Sequence, residues 1–164
     1  MGSLLLKLKK RFPDFPRIQA VEDFVTSVTE KMNPLLIIMF GALPRGEYTY
    51  NSDVDVLLIF ENQVTWNEVY AFGGGIVQPI SKTRTDFISQ LKKGNAFFIQ
   101  IMEEGIVLHH SPGILEEFKS VAADTINNMK MSRVERGWDD IDGAIEDDDE
   151  TPIPTQDDED DHDY

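Results

Sequence analysis

Two apolar runs constrain this chain more than any other feature. Leu35-Leu-Ile-Ile-Met-Phe40 and Val56-Leu-Leu-Ile-Phe60 are continuous rather than alternating. A strand that is apolar at every position has to be covered on both faces. The chain must therefore supply a layer on each side of a sheet, and the amphipathic segments around the runs are the candidates. From Ile18 to Met32, apolar residues recur at Ile18, Val21, Phe24, Val25, Val28 and Met32, the spacing of one helix face. Asn33-Pro34 stops that helix. Ile76 to Ser81 reads as a third strand whose Pro79 suits a sheet edge or a strand end. Thr85–Lys93 and Ala96–Glu104 read as helices closed by Gly94 and Gly105. Ile106–Leu108 is a short fourth strand, and a helix starting at Ser111-Pro112 runs to about Met131. Asn62–Tyr70 is a further candidate helix. The fold class expected is α/β (α+β), a small mixed sheet of about four strands flanked by helices.

Charge is distributed unevenly. The 164 residues include 30 acidic and 15 basic ones. Fourteen of the acidic residues lie between Asp139 and Tyr164, where there is no Lys or Arg. The body up to Trp138 is thus almost neutral, with 16 acidic and 15 basic residues. The terminal stretch also carries Pro152 and Pro154 and lacks periodicity, so residues 132–164 are expected to be a disordered acidic tail. No basic patch in the body signals nucleic acid as a tight partner.

With no cysteine, disulfides, zinc ribbons and thiol nucleophiles are excluded. Three histidines make a zinc site improbable, and the adjacent His109 and His110 would face opposite ways on a strand. The longest apolar run is too short to cross a bilayer. No leader pattern is read at the start, so the expectation is a soluble cytoplasmic protein. Gly73-Gly-Gly75 lacks the Lys-Ser/Thr that would follow a phosphate loop, and a turn is expected there. Asp140 to Asp149 falls partly on calcium-loop positions, but Trp138 stands at the first of them.

The chemistry concentrates between Gly41 and Asp55, G-A-L-P-R-G-E-Y-T-Y-N-S-D-V-D. Residues two apart on a strand share a face, so Asp53 and Asp55 should project together at the mouth of a core strand. Paired carboxylates repel unless a cation lies between them, and hard oxygen ligands favour Mg²⁺ or Mn²⁺. Gly41 follows a buried strand and permits close backbone approach to a ligand. Arg45-Gly46 adds a guanidinium on an expected short helix. A metal-carrying Asp pair beside a glycine turn suits triphosphate chemistry.

Gly41-Ala42, ten residues, then Asp53-Val-Asp55 resembles the signature of the polymerase-β-like nucleotidyltransferase superfamily, especially its minimal nucleotidyltransferases. Arg45-Gly46 and Ser52 also fall on the pattern, and the resemblance extends over Ile18 to Leu108. It implies a nucleotidyltransferase domain over residues 1–131. Asp53 and Asp55 would be catalytic and metal-binding, and Gly41, Ala42, Arg45 and Ser52 would be nucleotide-binding. The implied reaction transfers a nucleoside monophosphate, AMP first among candidates, from ATP or another triphosphate to a hydroxyl acceptor. A helical HEPN-type partner protein is the implied acceptor or companion.

Two positions depart from the pattern. Ala42 stands where the family has a phosphate-holding Ser. Gln78 stands where the family supplies a third metal-binding carboxylate. A neutral amide is a poor base, and losing a positioned base costs on the order of 10²–10⁴-fold in rate. The alternative is a nucleotide-binding, antitoxin-like regulatory module with weakened catalysis. A third reading, an acidic mimic of nucleic acid, rests on the tail alone.

Overall fold

In the computed structural model, residues 2–130 are described. The tail and the calcium-loop pattern lie outside them. The chain runs α1 (Gly2–Arg11), α2 (Ile18–Met32), β1 (Leu36–Phe40), α3 (Ala42–Arg45), β2 (Val54–Phe60) and α4 (Trp66–Tyr70). A 3₁₀ turn follows at Ala71–Gly73. Then come β3 (Val77–Thr83), α5 (Arg84–Lys92), α6 (Ala96–Glu104) and β4 (Ile106–His110). A last helix, α7, covers residues 114–130.

The four strands form one mixed sheet in the order β3-β2-β1-β4. β1 is antiparallel to both β2 and β4, whereas β2 and β3 are parallel. The continuous apolar runs occupy the two central positions, as two-sided burial requires. Ile37, Met39, Val56 and Leu58 face α2, where they meet Val21, Phe24, Val25 and Val28. Leu8, Phe12 and Phe15 from α1 and the turn after it extend that layer. On the other face Leu36, Ile38, Leu57 and Ile59 pack with Phe87 and Leu91 of α5, Phe98 and Ile101 of α6, and Phe118 of α7. Each fully buried side chain of this kind contributes roughly 1.5–3 kcal/mol.

β3 is an edge strand, and Pro79 explains how it can be one. Its carbonyl accepts a hydrogen bond from the Trp66 indole nitrogen at 3.2 Å, so this residue turns its polar groups away from β2. The missing N–H therefore costs the ladder nothing. Trp66 in turn stacks on Tyr70, ring centroids 4.3 Å apart.

Several element ends differ from the sequence reading. The expected Asn62–Tyr70 helix starts only at Trp66, where Thr65 and Glu68 form a reciprocal capping box. β4 continues past Leu108 because His109 and His110 pair with Ile37 and Leu36. α7 starts two residues beyond Pro112, after a turn in which Gly113 takes φ +80°. Among the described residues, no helix is long and apolar enough to cross a membrane.

Candidate active site

β1 ends at Phe40, which pairs with Asp55 one residue into β2. The antiparallel register thus brings Gly41 and the start of β2 to the same end of the sheet. Asp53 is the last residue before the strand. By strand alternation it shares a face with Asp55, Leu57 and Ile59. Asp53 is exposed and Asp55 half-buried.

Gly41 adopts φ +87° and ψ −142°, a conformation L side chains rarely take. A Cβ at that position would lie 2.7 Å from Asp55 Oδ2. The glycine therefore leaves the space that the Asp55 carboxylate fills. Burial pushes the Asp55 carboxyl up from its ordinary value, the Asp53 charge adds to that, and Arg45 opposes both. Two carboxylates in this state fit a divalent cation. Mg²⁺ commonly takes one or two carboxylates and completes its shell with substrate phosphates and water. Among the described residues no group of three or more His, Cys, Asp or Glu is placed to hold a metal ion. An ion at this pair would therefore depend on such non-protein ligands.

The register puts Gln78 of β3 directly beside Asp55. This is the position the sequence marked as lacking a third carboxylate. The Gln78 side chain donates its amide hydrogen to the Gly75 carbonyl at 3.0 Å. Gly73-Gly-Gly75 is accordingly a turn leading into β3, with Gly74 and Gly75 at positive φ. Asp86 lies on α5, beyond the far end of β3, and its backbone N–H bonds to Thr83 Oγ1.

Arg45 closes α3, and its Nε contacts Glu47 Oε1 at 3.1 Å. The Ser52 hydroxyl accepts from the Thr49 backbone N–H at 2.7 Å and so holds the turn before β2. Ala42 is half-buried at the start of α3, its carbonyl accepting from Glu47 N–H at 3.0 Å. Beside α3 runs an open groove of about 620 Å³ whose lining includes Arg11, Leu43, Arg45, Tyr48 and Tyr50. His109 and His110 sit at the sheet end remote from Asp55.

One residue at the site escaped the sequence reading. Arg17 Nη1 lies 3.5 Å from Asp53 Oδ1 and 3.5 Å from the Ser52 carbonyl. A single arginine ahead of a helix carries no local signal, and its partners are about 35 residues away.

A family model described as "Polymerase beta, Nucleotidyltransferase" matches residues 22–112. That span includes both aspartates, Gly41, Arg45, Ser52 and Gln78. Thirteen solved chains are similar. One, from Sulfolobus solfataricus and assigned as a nucleotidyltransferase, is 20% identical and has a TM-score of 0.39, with 54% of this chain and 76% of that chain covered. A toxin–antitoxin structure with AMP-PNP is 17% identical at a TM-score of 0.48, over 79% of this chain and 98% of that one. The toxin–antitoxin MntA–HepT is 17% identical at 0.47, over 81% and 98%. No curated protein matches.

Proposed function

Because the chain belongs to the polymerase-β nucleotidyltransferase family, we propose that it transfers a nucleoside monophosphate from a triphosphate to a hydroxyl acceptor. The observation that carries this reading is the Asp53–Asp55 pair at the mouth of β2, with Gly41 shaped around the Asp55 carboxylate. The group transferred is AMP, with ATP as donor, in keeping with the minimal nucleotidyltransferases this chain resembles. The acceptor hydroxyl attacks the α-phosphorus in line, the α–β bridging P–O bond breaks, and pyrophosphate leaves. A bound Mg²⁺ would supply charge neutralisation on the phosphates during that displacement, and Asp53 and Asp55 would be the residues that hold it. Arg45, on the rim of the α3 groove, opposes the negative charge of the triphosphate. A helical HEPN-type partner supplies the acceptor in this reading, in keeping with the minimal nucleotidyltransferases this chain resembles.

Gln78 favours a second reading. Its side chain is a neutral amide, whose NH2 is donated to the Gly75 carbonyl, and an amide is too weak a base to take the proton of the attacking hydroxyl. A module that binds nucleotide and regulates a partner without turnover needs no such group.

The experiment is calorimetric titration of each Mg²⁺-nucleoside triphosphate into the wild type and an Asp53→Asn/Asp55→Asn variant. Incubation with labelled ATP and helical partner proteins follows. Asp-dependent binding with label transfer supports the enzyme. Asp-dependent binding without transfer, with transfer appearing in Gln78→Glu, supports the regulatory module. Binding that ignores both substitutions refutes the site.

A further inference from the structure

Arg17 stands outside the family match, yet it contacts one of the two aspartates. Its backbone is well anchored. The carbonyl receives N–H bonds from Ala20 at 3.1 Å and Val21 at 3.3 Å, and Ile18 and Val21 are buried under the sheet. The side chain leaves this anchor in the direction of the loop before β2. There Nη1 reaches both Asp53 Oδ1 and the Ser52 carbonyl. Among the described residues, Nη1 is the guanidinium nitrogen that makes these contacts, at the long distance of 3.5 Å to each.

A structural strap is a weak explanation. The Asp53 side chain is 56% exposed and that of Arg17 30%. An ion pair so open to water adds little to stability. α2 is already fixed by five buried side chains from Ile18 to Val28. What Arg17 does change is charge. Asp53 and Asp55 bring two negative charges to the mouth of β2, Arg45 is shared with Glu47, and Arg17 offsets one further charge. A site with its negative charge reduced in this way attracts a free divalent cation less. A triphosphate arriving with its own Mg²⁺ carries the anionic oxygens a guanidinium prefers.

We propose that Arg17 is a positioning residue. It holds Asp53 and discourages free metal in the empty site, then moves its guanidinium onto the phosphates when the metal–nucleotide complex enters. The proposal rests on the nucleotide-transfer reading above. It goes beyond that reading by making the order of binding a property of this side chain: nucleotide with metal, rather than metal first.

The test uses the full chain and two ligands, Mn²⁺ alone, followed by its electron paramagnetic resonance signal, and Mg²⁺-ATP, followed by calorimetry. Arg17→Ala is expected to tighten Mn²⁺ alone by about two- to five-fold and to weaken Mg²⁺-ATP by about three- to ten-fold. Arg17→Lys should hold the Mn²⁺ affinity near wild type and recover only part of the nucleotide affinity, because it keeps the charge and loses the fork. Arg17→Gln, which retains most of the stem, should reproduce the alanine result if folding is unaffected. A merely structural role would move both affinities the same way, and that result, or no change in either, overturns the proposal. Asp53→Asn/Asp55→Asn separates the two ideas. If wild type binds Mg²⁺-ATP in an Asp-dependent manner but Arg17 substitutions leave both affinities alone, only the Arg17 role falls. If nucleotide binding is absent or ignores the aspartates, both readings fall.

Discussion

Replacing Gly41 by alanine tests the site through one methyl group. Two costs arise from separate features of the geometry. The backbone at φ +87° and ψ −142° disfavours any L side chain, by about 1–3 kcal/mol. The new Cβ would also sit 2.7 Å from Asp55 Oδ2, so the carboxylate must rotate away or the β1–α3 turn must open. Gly46→Ala is the matched control. Its φ is +75°, but a Cβ there meets nothing within 4 Å. It should lose about 1–2 kcal/mol from the left-handed conformation alone. Urea unfolding and Mg²⁺-ATP titration, run on both variants, separate the terms. Gly41→Ala is expected to lose stability and at least ten-fold in nucleotide affinity, whereas Gly46→Ala loses stability only. In the Gly41→Ala/Asp55→Ala double variant the steric part disappears, so the double variant should be more stable than the sum of the two single changes would make it. A Gly41→Ala protein that binds nucleotide like wild type, with stability within about 0.5 kcal/mol of it, would refute the claim that Gly41 shapes the Asp55 pocket.

Gly105→Ala should be more damaging to the fold, by about 2–4 kcal/mol in urea unfolding, because its Cβ would lie 2.6 Å from the Ile101 carbonyl and 2.7 Å from Ile38 Cγ1. Asp55→Asn is expected to raise the melting temperature at pH 7 without metal. Burial has raised this carboxyl, so its charged form works against folding above the ordinary carboxylate range. The gain should fade as pH falls through the raised value and be gone below about 4, where the unfolded chain also holds the proton. His109 is lowered first by burial and then by His110, while a hydrogen bond with the Pro34 backbone opposes them. Its neutral form is therefore favoured on folding. Stability should be complete above about pH 6.5 and decline as pH falls through the lowered value, and His109→Asn should flatten that slope in thermal unfolding.

Where the local pattern was strong, the sequence sufficed to place elements. α2 falls at Ile18–Met32 because its periodicity is unbroken and Asn33, at φ +52°, ends it before Pro34. α6 likewise keeps its expected ends between the Asn95 cap and Gly105. β1 and β2 were legible because burial on both faces leaves a run with no polar interruption. The failures have the opposite cause. α4 starts four residues later than the expected helix, because a five-residue element is too short for a period to show. His109 and His110 become strand through pairing with β1, which no local propensity reveals. At the site, the family resemblance marked Gln78, and the parallel register of β2 and β3 sets it beside Asp55. The Gly75 carbonyl that holds the Gln78 amide depends on a glycine at φ +81°, a conformation the residue letter permits but does not impose. Ser52 shows the same limit. Its letter fits a phosphate contact, while its hydroxyl closes the turn from Thr49.

Gln78 and Arg17 act on the same quantity from opposite sides. Neighbouring parallel strands lie about 4.8 Å apart, so a carboxylate at residue 78 would repel Asp55 from the adjacent strand. An amide removes that repulsion, and Arg17 offsets a further charge at Asp53. The amide eases the folding of a sheet end that would otherwise gather like charges, whereas the open Arg17–Asp53 pair adds little to stability. Neither helps a site that must collect free metal before its substrate. The fold does not require the carboxylates, because the apolar residues from Val56 to Phe60 already bury that strand. Asp55 carries its charge at a cost to the sheet, and under the proposed function the metal that would offset it arrives with the nucleotide.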